Sequence, residues 1–326
     1  MSVKQSVLDA LGEQRSDSVS GEQLAKRLGV SRAAIWKAVR ALREDGFLIE
    51  AATNRGYRLC GKDDRLSAED IRQSLDPAWQ GIDIRVCQEV DSTNRLARQA
   101  ALDGAAHGSV FAAERQSAGR GRFGRSFYSP EGRGIYLSVL LCPPQGIPPT
   151  LLTTAAAVAV CRAVRSLTGL KPRIKWVNDL VLDQKKICGI LTEAVTDWES
   201  GAIESVVIGI GLNVYPPEDL PPELAQGVGS LYGESDGTPP VGRSRLAAGL
   251  LNELFRVLET IDSRAFLADY RAWSLLLGRE IILSREGRPH AQALDIDADG
   301  GLVIRTADGQ LETLCSGEVS VRPAED

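Results

Sequence analysis

The sequence predicts an α/β multidomain chain with an N-terminal winged helix-turn-helix, a Gly-rich middle of strands and helices, and a small C-terminal β-barrel. Three observations predict it. At 326 residues the chain is long enough for two or three domains, each with its own core. Charge is unevenly placed: the formal total is −5, yet residues 1–62 carry eleven Lys and Arg against seven Asp and Glu, a net +4 that leaves −9 for the rest. The hydrophobic period also changes, from helical before KDDRLSAED to strand-like and Gly-rich beyond it, and then to short alternating runs on tight turns. The boundaries expected from these shifts are 1–63, 66–275 and 278–326.

The head opens with Val7, Leu8 and Leu11 on one helical face. In GEQLAKRLGVSRAAIWKAVRALREDGF, residues Leu24, Ala25 and Leu28 form the next apolar stripe and Gly29 permits a sharp turn. Ser31 can cap a second helix that packs Ala34, Ile35, Ala38, Val39 and Leu42 inward. Arg32, Trp36, Lys37, Arg40 and Arg43 remain for the polar side, a basic face suited to the major groove. FLIEAATNRGYRL then reads as a hairpin with Arg55 near its tip, a wing for phosphate or the minor groove. Ser31, Arg32, Trp36, Lys37, Arg40 and Arg55 are the candidate DNA-binding residues. The same helices could serve only protein interaction, and a net charge of +4 implies modest non-specific affinity, so binding to DNA is expected to need a dimer on a two-fold site.

In the middle, LLTTAAAVAVCRAV from Leu151 to Val164 is interrupted by Arg162 and reads as a core helix rather than a membrane span. ERQSAGRGRFGRSFYSPEGRGIYLSVLL contains G-x-G-x-x-G at Gly119, Gly121 and Gly124, but a turn with Pro130 and a strand follow it. A dinucleotide fingerprint needs a helix there to receive the pyrophosphate. Arg120, Arg122 and Arg125 between the glycines suggest instead a loop that folds over a phosphorylated or adenylated ligand, the alternative being a solvated basic loop. RIKWVNDLVLDQKKICGILTEA reads as a strand ending at Asn178 and Asp179, a second strand, and a turn that carries Lys185 and Lys186 into apolar residues. A lysine so placed can neutralise a carboxylate or phosphate. ESVVIGIGLNV is a buried strand whose Gly209 and Gly211 allow close approach, ending near Asn213. VDSTNRLA offers Ser92, Thr93 and Asn94 at a helix start, and Pro216 to Gly242 reads as loop. The C-terminal strands are separated by turns at Glu286-Gly287, Asp299-Gly300-Gly301 and Asp308-Gly309.

Composition excludes several classes. With 43% hydrophobic and 25% charged residues, 32 Gly and 15 Pro, the chain is neither disordered nor collagenous. His107 and His290 stand apart from each other and from any cysteine, so neither a zinc site nor histidine acid-base chemistry is expected. Six cysteines without a close pair, after an N-terminus lacking an apolar signal core, fit free thiols in a reducing cytoplasm.

The series DSTN, QSAGRGRFGR, KWVNDL, KKICGIL and GIGLNV, between a winged helix and a small barrel, resembles the biotin-protein ligase and biotin operon repressor family essentially from end to end. The resemblance implies a central mixed α/β ligase domain holding biotin and ATP, with an SH3-like C-terminal barrel. Matched by motif, Ser92, Thr93, Asn94, Gln116, Gly119, Arg120, Gly121, Arg122, Lys186, Gly189 and Gly209 fall to biotin. Arg122, Arg125, Phe127, Asn178, Asp179, Lys186 and Asn213 fall to ATP or the adenylate. The chain departs from the family pattern at Phe123, often Arg, at Val177, usually Pro, and at Phe127, often a Trp that stacks on adenine.

The implied chemistry forms biotinyl-5′-AMP from biotin and ATP with Mg²⁺, then passes biotin to one lysine of a biotin carboxyl carrier protein. Lys186 and Arg122 are the catalytic cations and Asp179 the candidate base; no protein-held metal is implied. Five glycines from Gly119 to Gly134 make the loop costly to order, so the adenylate could act as corepressor through homodimerisation on operator DNA. A biotin-sensing transcription factor with little turnover and a lipoate-type ligase are the alternatives. Intact Lys186, Arg122, Asn178 and Asp179 argue against the first, and the Gly-Arg loop behind a winged helix against the second.

Overall fold

Local rules explain the helical head. In a computed structural model, Val3–Gly12 (α1), Gly21–Leu28 (α2) and Arg32–Glu44 (α3) precede a hairpin of Phe47–Ala52 (β1) and Gly56–Lys62 (β2). Ser20 and Gln23 form a reciprocal capping box, with Oγ of Ser20 accepting from Gln23 N at 3.1 Å and Gln23 Oε1 accepting from Ser20 N at 3.0 Å. Gly29 ends α2 in the left-handed region at φ 64°, which only glycine adopts cheaply. Ser31 Oγ then accepts from Ala34 N at 3.1 Å and starts α3. Val7, Leu11, Leu24, Ile35, Val39, Leu42, Ile49 and Leu59 share one core, and an extended bridge from Val19 to Tyr57 broadens the hairpin.

The structure describes residues 3–12, 18–44, 47–52, 56–62, 64–142, 147–196, 203–217, 220–221, 227–233, 241–283, 289–315 and 321–323; within these, the side chains of 5, 12, 44, 48, 52, 60–62 and 321–323 are excepted. Arg55 at the wing tip, the turn at Glu286-Gly287 and part of the loop expected from 216 to 242 lie outside them. Residues 1–65 with 235–242 make one compact unit and residues 66–234 with 243–326 a second.

The second unit holds a seven-stranded sheet in the order β3-β4-β5-β9-β8-β7-β6. In chain order these are Ile84–Val90 (β3), Val110–Gln116 (β4), Gly134–Leu141 (β5), Arg173–Lys175 (β6), Asp179–Leu182 (β7), Lys185–Thr196 (β8) and Ile203–Asn213 (β9). Only β3 and β4 run parallel, joined by a crossover helix Thr93–Leu102 (α5) after a short Ala68–Ser74 (α4). Pro149–Thr168 (α6) is long and apolar enough to cross a membrane by length and composition, but from Leu151 to Val164 every residue except Arg162 is buried. It packs on β8, β9 and the helix Arg243–Glu259 (α7), so the apolar run is core, as its length and Arg162 suggest. Leu267–Trp273 (α8) leads to a five-stranded antiparallel SH3-like barrel of Glu280–Leu283 (β10), His290–Ile296 (β11), Leu302–Thr306 (β12), Leu311–Leu314 (β13) and Val321–Pro323 (β14).

The barrel touches the ligand-side turn directly. The first strand of RIKWVND ends at Lys175, earlier than the sequence suggests, and Trp176–Asn178 form the turn into β7. Trp176 Nε1 donates to Gly300 O at 3.0 Å, and Asn178 Nδ2 donates to Ile190 O at 3.0 Å. These bonds pull the chain out of strand pairing where pattern alone continues it. Burial pushes the Cys161 thiol up to about 12 and raises that of Cys188, which keeps both as inert core thiols.

A buried ion pair ties the elements around the cavity. Arg243, at the start of α7, donates to Glu114 Oε2 and to Gly134 O, each at 2.9 Å, and Glu114 also accepts from Leu66 N. Their side chains are 2% and 3% exposed. Arg243→Ala leaves a buried carboxylate without its counter-charge and lowers unfolding stability by about 3 to 5 kcal/mol. Urea denaturation reads this, and a loss under about 1 kcal/mol, the range of an exposed pair, is the contrary result.

Candidate active site

Two rows of residues across the central sheet lie beneath the cavity. Strand register aligns Ser138 of β5, Gly209 of β9 and Leu191 of β8, and two residues further along it aligns Tyr136, Gly211 and Gly189. Asn94 lies over the first row and the Phe127 ring over the second. A Cβ at Gly209 would collide with Asn94 Oδ1, and one at Gly211 with the Phe127 ring. Both glycines therefore make room for an overlying side chain, where the sequence suggests close approach of a ligand.

This cavity has a volume of about 340 Å³. Ser92, Thr93, Asn94 and Gln116 line one part of it, and Arg122, Asn178, Asp179 and Lys186 another, with Arg120, Gly121, Arg125, Phe127, Gly189, Gly209 and Asn213 also in its wall. Gly119 is the one biotin candidate outside the described lining. Phe127 N donates to its carbonyl at 2.8 Å, and a Cβ there would meet Phe127 O, so Gly119 shapes the loop base.

The polar part is held by α5 and β4. Ser92 is the N-cap, but its hydroxyl makes no capping bond. Gln116 Oε1 accepts from Thr93 N at 2.9 Å and lies 3.1 Å from Thr93 Oγ1, while Gln116 Nε2 donates to Ser129 Oγ at 2.8 Å. Phe127 meets Tyr136 edge-on, with centroids 6.4 Å apart, and Tyr136 donates its hydroxyl to Pro130 O at 3.0 Å.

The Gly-Arg loop is a small hairpin. Gly121 N donates to Arg125 O at 2.7 Å, Arg120 bridges Ser126, and Arg122–Gly124 form a single 3-10 turn at the tip. Phe123 sits at φ 57°, 58% exposed, with the Arg122 guanidinium 4.9 Å from its ring. Arg122 Nη1 donates to Asn178 Oδ1 at 3.1 Å, whereas Nη2 is buried without a hydrogen-bond partner. Burial lowers the Arg122 pKa, opposed by the nearby Asp179 charge, though an Arg this far from neutrality remains a cation at pH 7. A buried donor without a partner among the described residues suits an anionic ligand.

Lys186 Nζ lies 2.7 Å from Asp179 Oδ1, a contact of charge rather than an aligned hydrogen bond, since Asp179 Oδ1 has no hydrogen-bond partner among the described residues. The backbone of Lys186 bonds to Gly227 and Gly229, and Asn213 Nδ2 donates to Gly229 O at 3.0 Å. These bonds fix the loop that carries Val228 against the cavity. Tyr270, buried on α8, donates to Val177 O at 3.2 Å and braces the turn from below.

Sequence reasoning missed Tyr136 and Trp176, which line the cavity, and the buried Ser138 and Ser129, which bond to its wall residues Thr93, Asn94 and Gln116. The signal for Ser138 was present, as a lone serine among the aliphatic and aromatic residues of IYLSVLL. On α3, Arg32, Trp36, Lys37 and Arg40 are exposed together, with Arg40 over the Trp36 ring at 5.9 Å. Ser31 serves as helix cap, and Arg43 leaves the face to donate to Ile49 O. Among the described residues no group of three or more His, Cys, Asp or Glu could hold a metal ion. Asp179 is the only carboxylate in the described cavity wall.

Comparison with known proteins agrees with this geometry. Residues 86–213 match the biotin/lipoate A/B protein ligase family, residues 3–58 an HTH domain, and residues 276–322 the biotin protein ligase C-terminal domain. The chain is 31% identical over 312 residues to the bifunctional ligase/repressor BirA of Bacillus spizizenii, covering 94% of this chain and 95% of that one. It is 32% identical over 313 residues to the bifunctional ligase/repressor BirA of Escherichia coli, covering 94% of each. The biotin protein ligase of Aquifex aeolicus, solved in complex with biotin and ATP, superposes with a TM-score of 0.62 at 27% identity, over 74% of this chain and 99% of that one. A shared ligase domain, helix-turn-helix and C-terminal domain, in one order and over nearly the whole length, place the chain in the biotin protein ligase family, with the composition of its bifunctional ligase/repressors.

Proposed function

We propose that the protein ligates biotin to a lysine of a biotin carboxyl carrier protein at the expense of ATP, through biotinyl-5′-AMP, and represses biotin biosynthesis when that adenylate is bound. One observation carries the ligase reading: a single cavity joins a hydroxyl and amide wall at Thr93 and Gln116 to Lys186 and the buried guanidinium of Arg122. The wall suits a polar ureido ring and favours biotin over lipoate, whose ring has no polar N–H. The cations suit the meeting of a carboxylate with the α-phosphate of ATP. Mg²⁺ supplies further charge neutralisation when it arrives on the phosphates.

In this reading Ser92, Thr93, Asn94, Gln116, Gly121, Arg120, Gly189 and Gly209 form the biotin end, with Gly119 at the loop base. Arg125, Phe127, Asn178 and Asn213 form the nucleotide end. Lys186 and Arg122 hold the carboxylate and phosphate. Asp179, freed from Lys186 when the anions bind, accepts a proton from the attacking carrier lysine, whose reference pKa is about 10.4. Residues 1–63 act on DNA, 66–275 on biotin and ATP, and 278–326 brace the site, with the protein working as a cytoplasmic homodimer when repressing. Incubation with biotin, ATP, Mg²⁺ and a carrier domain should add one biotin mass to the carrier; lipoate in its place should add none. A carrier left unmodified by biotin is the contrary result.

The exposed basic face of α3 supports the repressor role. With Arg32, Lys37, Arg40 and Arg55 at phosphates, each contact should add about 0.9 to the slope of log affinity against log salt. Titration of the adenylate-bound protein with operator DNA should give a clearly negative slope that flattens by about one in R40A. A slope near zero removes these residues from the phosphate contacts.

A further inference from the structure

Both amide protons of Asn94 are taken by the protein itself, and its orientation is forced. Its Nδ2 donates to Leu191 O at 3.2 Å and to Glu193 Oε2 at 2.7 Å. A carbonyl and a carboxylate only accept, so the amide can present only its nitrogen to them. Oδ1 is thereby turned to Ser138, whose Oγ lies 2.7 Å away. Ser138 has one proton and donates it to Asn94, which leaves its lone pairs for Thr93 Oγ1 at 2.8 Å. The other neighbour of the Thr93 hydroxyl, Gln116 Oε1 at 3.1 Å, is an acceptor as well. Acceptors on both sides engage the single Thr93 proton, so Thr93 Oγ1 turns only lone pairs to the cavity. With the Asn94 amide reversed, Nδ2 would face Ser138 and free the Ser138 proton for Thr93, whose own proton would then be held by the longer contact to Gln116 Oε1 alone instead of by acceptors on both sides.

We propose that Glu193, itself outside the cavity wall, is a positioning residue that sets the hydrogen-bond polarity of the Asn94–Ser138–Thr93 chain, so that Thr93 meets the ligand as an acceptor and selects a ligand with an N–H donor. This inference rests on biotin being the ligand, since its ureido ring supplies such N–H groups. Glu193 belongs to β8, and among the described residues its side chain reaches the cavity wall through Asn94. Arg98, 3.5 Å away, balances its charge.

Calorimetric titration of the full chain with biotin and, separately, with ATP tests the role. E193A removes the closer and charged one of the two acceptors that orient Asn94, leaving only the longer bond to Leu191 O, and the Kd for biotin should weaken about tenfold while that for ATP stays within about twofold. N94D sets two carboxylates against one another and should weaken biotin by about a hundredfold. Adding E193Q to N94D supplies an amide donor to the new carboxylate and should regain about tenfold, a rescue that a general loss of packing does not produce. A biotin Kd in E193A within about twofold of wild type, an equal loss for ATP, or a double variant no tighter than N94D overturns the proposal. A wild-type chain that does not bind biotin overturns the functional reading and this inference with it; normal wild-type binding with an indifferent E193A overturns the inference alone.

Discussion

Lys186→Ala lowers the rate of adenylate formation by about a hundred- to a thousandfold, equivalent to about 3 to 4 kcal/mol of transition-state stabilisation. The reaction brings two anions together and builds charge on phosphorus, so a cation fixed beforehand contributes more than one that must be recruited. Lys186 is fixed beforehand, because its backbone is stitched to Gly227 and Gly229 and its ammonium already lies 2.7 Å from Asp179. The alanine variant also leaves Asp179 facing the incoming carboxylate and triphosphate without a partner, which adds repulsion to the lost attraction. Biotin-dependent pyrophosphate release measures the effect, and turnover like wild type sinks the assignment. Asp179→Ala separates the two halves of the reaction: it should slow transfer from preformed biotinyl-5′-AMP more than adenylate synthesis, and equal losses remove Asp179 as the base.

The parts of the fold and of the candidate site that were legible in the sequence are those determined locally. Ser31, Gly29 and the apolar stripe of α3 are short-range signals, and the structure uses each as its chemistry suggests. The Gly-Arg loop was legible because Pro130 and the following strand excluded a helix. The illegible parts depend on register between distant segments. Ser138 reaches the wall residues only because β5 pairs with β9, and β9 with β8, so that Ser138, Gly209 and Leu191 fall in one row beneath Asn94. Nothing within IYLSVLL says which strand lies beside it. The end of β6 at Lys175 is likewise set from outside, by a backbone carbonyl of the barrel at Gly300 that receives the Trp176 indole. Gly209 and Gly211 were legible as close-approach positions, but which group approaches, Asn94 and Phe127 in this fold, follows only from tertiary placement.

Arg122→Gly should release biotinyl-5′-AMP about thirty- to a thousandfold faster than wild type. Arg122 joins the loop tip to the rest of the site through one bond to Asn178 and carries a second, buried donor that no described residue satisfies. With the adenylate in place, that donor gains a charge-assisted bond to phosphate worth about 1.5 to 3 kcal/mol. Glycine removes both bonds, and beside Gly121 and Gly124 it adds backbone freedom that costs about 0.5 to 1 kcal/mol whenever the loop closes. The penalties together reach about 2 to 4 kcal/mol and fall mainly on retention, because Lys186 still faces the reacting anions. Arg122→Lys keeps the charge but loses the planar fork that can hold Asn178 and a phosphate oxygen together, so its off-rate should lie between the two. Chase of labelled adenylate with excess unlabelled biotin and ATP reads all three rates. An unchanged off-rate in Arg122→Gly would mean that the loop holds its ligand by backbone and shape alone.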